Sequence, residues 1–353
     1  MRESIKSIQY LRFIAATLVV FSHSMLGAAL YFKDAISARS LYFANFGGVG
    51  VHIFFVISGF IMVYTSFEGK TKSFSSPKFL LRRFIRIYPI YWICAGMYLA
   101  FHEGLLQSYN LSVSEILKSL LLLPGYSPLI IGPGWTLTYE VYFYVCFGIF
   151  MILGPLKGLL AMSVFFLLSI VAGLAFPSNN AALHVITDFL LLEFLVGAWI
   201  AYFFVLGFFI SARMSNVLLI FALTGFSASL AFGYHRLSSV LMWGVPSALL
   251  IAGFVFKERA GHLARFVKRI SFLGDSSYSL YLLHILLIDL FFRAYLVFFP
   301  KLGLGYVGLC LALTVLCIII AHAFYALVEC KVVGYFQTMV RNISRSGTVT
   351  QVS

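Results

Sequence analysis

Long apolar runs alternate with short polar segments along most of the chain. A membrane-spanning helix needs about 20 mainly apolar residues. The segments that meet this requirement are 8–30, 46–65, 86–102, 134–154, 157–177, 182–206, 213–231, 237–256, 272–299 and 304–329. The pattern therefore predicts an all-α fold, a polytopic transmembrane helical bundle of about ten spanning helices.

A further apolar stretch, 112–131, is interrupted by Pro124, Gly125 and Pro128. Backbone that is exposed to lipid has to hydrogen-bond to itself, so a broken run cannot cross the bilayer as a regular helix. We expect a half-helix or a protein-covered loop in this segment.

The composition leads to the same class of protein. The chain of 353 residues is 61% hydrophobic and 10% charged, with a mean hydropathy of +0.98, whereas a soluble domain is about 45–50% apolar and about 25% charged. These values exclude a soluble globular enzyme, a disordered chain and a secreted disulfide scaffold. The cysteines show no CxxC spacing and mostly lie inside apolar runs, so we expect no disulfide and no metal site; they are Cys94, Cys146, Cys310, Cys317 and Cys330.

The formal net charge is +13, and the basic residues concentrate in two segments between apolar runs, 66–86 and 257–269. Short loops rich in Lys and Arg stay in the cytoplasm. If both segments do, the number of crossings between them is even, which holds when 112–131 does not cross. Both termini are then cytoplasmic. Because membrane orientation accounts for the positive charge, we expect no nucleic-acid partner.

The chain reads as one integral-membrane domain over residues 1–333, followed by a short cytoplasmic tail over 334–353. Its first apolar run continues to about Leu30 without a small-residue cleavage site. This favours a retained first span over a signal peptide.

Two ionisable residues lie within the first span. A charge at the centre of a spanning helix costs about 2.5–3.5 kcal/mol, so such residues are functional candidates. Arg12 and His23 are separated by three helical turns and share one helix face, about 16 Å apart. Two structural alternatives stay open: Arg12 reaches toward cytoplasmic headgroups, and His23 is a hydrogen-bonded packing residue.

A carboxylate occurs in a second span. Glu140 stands in GPGWTLTYEVYFY, a few residues into a helix that enters from outside, which puts it at a depth similar to that of His23. Thr136, Glu140 and Tyr144 follow an i, i+4, i+8 spacing and form a polar stripe. We expect Glu140 to pair with His23 and fix its tautomer, as in a general base. A coincidence of depth or a purely structural ion pair is the alternative.

The segment LLRRFIRIYPIYW places Arg83 and Arg86 on one side of a helix that begins at the cytoplasmic face. Paired guanidinium groups suit phosphates, although the positive-inside rule also explains them.

The segment FGGVGVHIFFVISGF is rich in glycine, but no strand precedes it, so it is not a phosphate loop. Close helix packing by Gly47, Gly50 and Gly59 is the better interpretation, and His52 within it is structural or functional. Late in the chain, GDSSYSLYLLH places Ser277, Tyr281 and His284 along one helix face. These residues either pack against neighbouring helices or line a functional site.

Together these segments resemble the successive motifs of the acyltransferase-3 family of integral-membrane acyltransferases, and most closely its exopolysaccharide and O-antigen modifying members. The motifs occur in family order over about residues 8–290: IQYLRFIAATLVVFSH, GGVGVHIFFVISGF, FLLRRFIRIYPIYW, GWTLTYEVYFY and LGDSSYSLYLLH. One position departs from the pattern, because His52 stands where the family usually has an acidic residue.

The resemblance implies a multi-pass enzyme of the bacterial inner membrane. It would move an acyl group, usually acetyl, from cytoplasmic acetyl-CoA or another acyl-CoA to a sugar hydroxyl outside. The acceptor would be a glycan or a lipid-linked saccharide in contact with the lipid bilayer, and no bound cofactor is implied.

The expected site follows from the residues and the resemblance together. We expect His23 and Glu140 to be catalytic, with His23 as the base and Glu140 orienting it. The CoA end would be held by Arg12, Arg83 and Arg86, and the acceptor pocket would include Trp135, Tyr144 and His284.

The main alternative is a proton-coupled transporter or flippase for a sugar or an anionic substrate, because intramembrane Arg, His and Glu also suit a proton relay. No inverted repeat is detectable in the chain, which weighs against a carrier. A receptor or structural anchor explains the buried ionisable groups poorly.

Overall fold

The computed structural model describes residues 4–32, 37–67, 74–101, 112–124, 129–233, 239–298 and 305–349. Regular structure within these ranges is helical throughout. Its α-helices are α1 (Lys6–Tyr31), α2 (Ala38–Asn45), α3 (Val49–Ser66), α4 (Ser76–Phe101), α5 (Val113–Leu120), α6 (Trp135–Phe150), α7 (Pro155–Ala175), α8 (Ala181–Ile186), α9 (Leu191–Val205), α10 (Ala212–Phe232), α11 (Val245–Arg259), α12 (Arg265–Ile270), α13 (Ser277–Phe298), α14 (Tyr306–Phe324) and α15 (Cys330–Val349). Among the described residues, 10 helical segments are long and apolar enough to cross a membrane. The predicted all-α bundle of ten spans is confirmed.

Two spans are longer than their apolar runs. Helix α4 begins at Ser76, well before the predicted start at residue 86, because Lys and Arg are good helix formers and the helix continues through the basic segment. Helix α14 continues through a π-helical turn, Tyr325–Glu329, into α15. The residues of the predicted tail are therefore helical as far as Val349.

The predicted broken segment is confirmed within the described residues, while Gly125 and Pro128 lie outside them. Its helix, α5, has 8 residues, which is about 12 Å and too short to cross a bilayer. Ser112 and Glu115 cap its N-terminus by exchanging hydrogen bonds between side chain and backbone, and this fixes where the helix begins.

The described residues of both basic segments lie at one end of the bundle, which we call the basic end. The Glu258 carboxylate at the end of α11 accepts hydrogen bonds from the backbone N–H groups of Lys6 (2.9 Å) and Ser7 (2.7 Å) at the start of α1. At the same end, Arg83 of α4 donates to Thr65 of α3 (2.9 Å). An even number of crossings therefore separates the two segments, as the charge pattern predicts. We call the opposite end the far end.

Helix α1 lies at the centre of the bundle and packs closely against α3. A Cβ at Gly47 or Gly50 would overlap the carbonyl oxygens of Leu18 and Ala15 in α1. Small residues permit this approach of two helix backbones within a membrane.

The α3–α9 contact uses glycines in the same way. A Cβ at Gly59 would overlap the backbone of Phe194, and one at Gly197 would overlap the backbone of Val56. The predicted packing role of the glycines in α3 and in the turn before it is thus confirmed.

Candidate active site

A cavity of about 460 Å³ lies between α1, α3, α4, α6 and α13. Ser4 and Thr65 line it at the basic end, and Val51 and Phe54 line it deep in the bundle. Its ionisable lining residues include four arginines and one carboxylate, namely Arg12, Arg82, Arg83, Arg86 and Glu140. The excess of guanidinium groups gives the cavity a positive charge that suits an anion.

Arg83 is held in place by one hydrogen bond and two rings. Its Nη2 donates to Thr65, and its guanidinium carbon lies 5.4 Å from the ring centre of Phe79 and 5.7 Å from that of Tyr144. Its Nε is buried and has no hydrogen-bond partner among the described residues. A buried N–H group without a partner is costly, so this donor suits a ligand oxygen.

Arg12 lies inside the bundle and not at its surface. It is 9% exposed, and its Nη1 donates to the Gln9 side chain (3.2 Å), whose amide in turn donates to Asp275 (2.7 Å). The carboxylates of Glu329 and Glu140 also interact electrostatically with it. The alternative that Arg12 reaches toward headgroups does not fit this geometry, because Arg12 is buried, lines the cavity and donates to Gln9.

Glu140 accepts two hydrogen bonds within the same cavity. Its carboxylate accepts hydrogen bonds from Ser58 Oγ (2.9 Å) and from the Tyr144 hydroxyl. The predicted stripe of Thr136, Glu140 and Tyr144 lines the cavity along its whole length. Glu140 is thereby linked through Tyr144 to the guanidinium of Arg83.

His23 pairs with a second histidine. Its Nδ1 lies 3.0 Å from His284 Nε2, and His284 Nδ1 lies 2.7 Å from the carbonyl oxygen of Tyr281. A carbonyl oxygen only accepts, so His284 Nδ1 carries a hydrogen, and in the neutral ring its Nε2 accepts. This assigns the donating hydrogen to His23 Nδ1 and leaves a lone pair on His23 Nε2.

The predicted contact between His23 and Glu140 is therefore wrong. The sequence suggests equal depth if α6 begins at the membrane surface. In the structure, Glu140 lines the same cavity as Arg12 and interacts electrostatically with it. His23 lies three helical turns, about 16 Å, further along α1 toward the far end.

His52 also has a partner that the sequence did not suggest. Its Nδ1 lies 2.5 Å from Glu193 Oε1 on α9, both residues are buried, and the Trp243 ring stands edge-on at 5.3 Å. An imidazole and a carboxylate in hydrogen-bond contact balance each other inside an apolar core. Where the family pattern has an acid, this chain has His52, and the acid that pairs with it is Glu193 on the facing helix α9.

Comparison with known proteins assigns the chain to a family. A family model described as an acyltransferase domain, that of the acyltransferase-3 family, matches residues 5–322. This chain belongs to the acyltransferase-3 family. It is 31% identical over 268 residues to the exopolysaccharide production protein ExoZ of Rhizobium meliloti (strain 1021), which covers 73% of this chain and 81% of the relative. No solved structure matches the chain.

In this membrane acyltransferase the predicted site residues divide into three groups. Arg12, Arg83, Arg86, Glu140 and Tyr144 meet in the cavity. His23 and His284 form the pair described above, outside the cavity lining. Trp135 is 43% exposed at the start of α6 and packs against Phe55 and Tyr139.

One acid near the site, Glu329, is absent from the residues predicted from sequence. Glu329, in the π-helical turn, accepts from Ser279 (2.5 Å) and interacts electrostatically with Arg12 and Arg86. Its position as an acid within an apolar run could have identified it from the sequence, and the same holds for Glu193. Within the described ranges, no three His, Cys, Asp or Glu side chains group as metal ligands, and the absence of a metal stays a prediction.

Proposed function

We propose that this acyltransferase transfers an acyl group, in the simplest case acetyl, from acyl-CoA to a sugar hydroxyl of an exopolysaccharide or of its lipid-linked precursor. The name of its relative, an exopolysaccharide production protein, supports the acceptor class. The enzyme would lie in the bacterial inner membrane with its basic end in the cytoplasm, because loops rich in Lys and Arg remain there.

The observation that carries the proposal is the arginine-lined cavity at the basic end. Acyl-CoA carries its negative charge on phosphates at one end and its thioester at the other. Phosphates at Arg82, Arg83 and Arg86 would receive charge-assisted hydrogen bonds, including one from the unpartnered Arg83 Nε. The thioester arm would then extend along the cavity past Arg12 and Glu140.

The His pair supplies the base. The lone pair on His23 Nε2 would take the proton from the sugar hydroxyl while the hydroxyl oxygen bonds to the thioester carbonyl carbon. The tetrahedral intermediate then collapses, the carbon–sulfur bond breaks, and the proton passes from His23 to the departing sulfur. His284 accepts the His23 Nδ1–H throughout, so the ring keeps one orientation.

Glu140 has a different proposed role from the one expected from sequence. Glu140 accepts hydrogen bonds from Ser58 and Tyr144. We therefore assign it to the arginine-lined cavity that would bind the acyl donor, called the donor cavity below, where it orients Tyr144 beside Arg83. Its contribution to the base would be indirect.

The test is transfer of label from radioactive acetyl-CoA to glycan by the purified full-length protein. Label in the glycan supports the proposal. Movement of unmodified saccharide across a vesicle membrane, without label transfer, would instead favour the carrier alternative.

A further inference from the structure

The donor cavity ends before it reaches the proposed base. Its deepest lining residues are Val51, Phe54, Thr136 and Tyr281, and neither His23 nor His284 is among the residues that line it. Tyr281 and His284 are three residues apart on α13, which is about 4.5 Å along the helix axis. A single layer of side chains therefore separates the cavity from the His pair.

Tyr281 is the centre of that layer. It is 7% exposed, its hydroxyl lies 2.9 Å from the Pro133 carbonyl oxygen and 2.8 Å from Thr136 Oγ1, and its ring meets the edge of Phe54 at 5.9 Å. These contacts join α13 to α6 and α3 across the deep end of the cavity.

The segment that holds the Tyr281 hydroxyl is itself anchored. The Ile130 N–H donates to Ser119 Oγ of α5 (2.9 Å), and the Tyr91 hydroxyl donates to the Ser119 carbonyl (2.9 Å). Pro133 is thus part of an anchored backbone segment, so opening the layer would require the Tyr281 side chain to turn about its own bonds.

Tyr281 also touches the other side of the layer. Its carbonyl oxygen accepts from His284 Nδ1, and its ring centre lies 5.8 Å from that of His284. One residue therefore lines the donor cavity and also contacts the His pair.

We propose that the Tyr281 side chain closes the donor cavity against the His23–His284 pair, and that the thioester reaches His23 only when its hydroxyl leaves Pro133 and Thr136. The proposal rests on the function proposed above. A closed layer keeps far-end water from the thioester until transfer. Without it, water would attack the carbonyl carbon, the carbon–sulfur bond would break, and the products would be a carboxylic acid and free CoA thiol.

The first experiment measures access to the cavity and needs no activity. Val51→Cys introduces a thiol at the deep end in the full-length protein, in sealed vesicles of determined orientation. A membrane-impermeant methanethiosulfonate reagent is added to one side or the other, and modification at residue 51 is quantified by mass spectrometry.

With Tyr281 present, we expect modification from the basic end only. Tyr281→Ala should raise the rate from the far end at least tenfold, and Tyr281→Phe about threefold. Tyr278 is the matched control: it lies three residues nearer the basic end on α13, lines the same cavity, and donates to the Ile87 carbonyl (2.9 Å). Tyr278→Ala and Tyr278→Phe should leave the far-end rate unchanged.

Equal rates of thiol modification from both sides with Tyr281 present would overturn the proposal. A far-end modification rate in Tyr281→Ala no higher than that in Tyr278→Ala would overturn it as well. A far-end rate in Tyr281→Phe equal to that in Tyr278→Phe would overturn the part played by the hydroxyl.

The second experiment follows acceptor-free hydrolysis of acetyl-CoA by the release of CoA thiol. Tyr281→Phe should hydrolyse several times faster than Tyr278→Phe. The two proposals fail separately: an unaltered protein that transfers no acyl group to glycan refutes the function but leaves the labelling result intact. Transfer together with two-sided labelling refutes only the role of Tyr281.

Discussion

The cavity at the basic end and the His23–His284 pair both place ionisable side chains within the apolar span of the bundle, yet their polar groups are balanced differently. In the cavity, four guanidinium groups accompany one carboxylate, and Arg83 keeps one N–H without a partner among the described residues. In the pair, each neutral imidazole is satisfied by a neutral partner, the other ring or a carbonyl group.

This difference indicates different tasks. A set of fixed charges suits the binding of a charged ligand, because it attracts an anion without changing its own state. A neutral imidazole chain needs no counter-ion in an apolar environment and acquires charge only when it takes a proton. This difference supports the proposed division of the two regions into donor binding and proton transfer.

The largest expected effect is at the His pair. His23→Ala should lower kcat for acetyl transfer by about 100-fold or more, the contribution of a general base, with the amount of inserted protein unchanged. The assay is labelled acetyl transfer to glycan. The control is His184→Ala, which changes an exposed histidine at the far end and should leave kcat within about twofold of the unaltered enzyme. Comparable losses of kcat in both variants would contradict a role for His23 as the base.

The next effect is in the cavity. Arg83→Gln should raise the KM for acetyl-CoA roughly tenfold to 100-fold, the range for losing hydrogen bonds from a charged group, and should change kcat less. Arg213→Gln removes a charge at the same end on α10, outside the cavity lining, and should leave KM nearly unchanged. A KM that rises equally in both variants would indicate a general field and not a phosphate site.

A third variant separates the observed partner of His23 from the predicted one. His284→Phe removes the acceptor of His23 Nδ1–H and should lower kcat about tenfold, the value of one buried hydrogen bond, while the donor KM stays constant. In a His23→Ala background the same substitution should have no further effect on kcat. Additive losses would show that His284 acts independently of His23.

The smallest effect concerns Glu140. Ser58→Ala removes one of its hydrogen bonds and should raise the donor KM about threefold without lowering kcat. Ser169→Ala, on an exposed serine that bonds within its own helix, is the matched control. A fall in kcat with constant KM would contradict this role and indicate that Glu140 acts on the catalytic base.

Most of the architecture was accessible from the sequence. The ten spans follow from apolar length, the shared end of the two basic segments follows from their charge, and the close approach of α1 and α3 follows from the glycines at residues 47 and 50. A bilayer has a fixed thickness, and loops rich in Lys and Arg stay on one side of it, so these properties depend on position along the chain alone.

The identity of the contacts was decided by the tertiary structure. Depth along a helix axis does not specify which neighbour a side chain faces, and His23 faces α13, where His284 lies, while Glu140 faces α3. Glu140 shares a cavity with Arg12 and not with His23, which lies three turns further along α1. Neighbours arise from the packing of all helices together, so only the folded chain determines them.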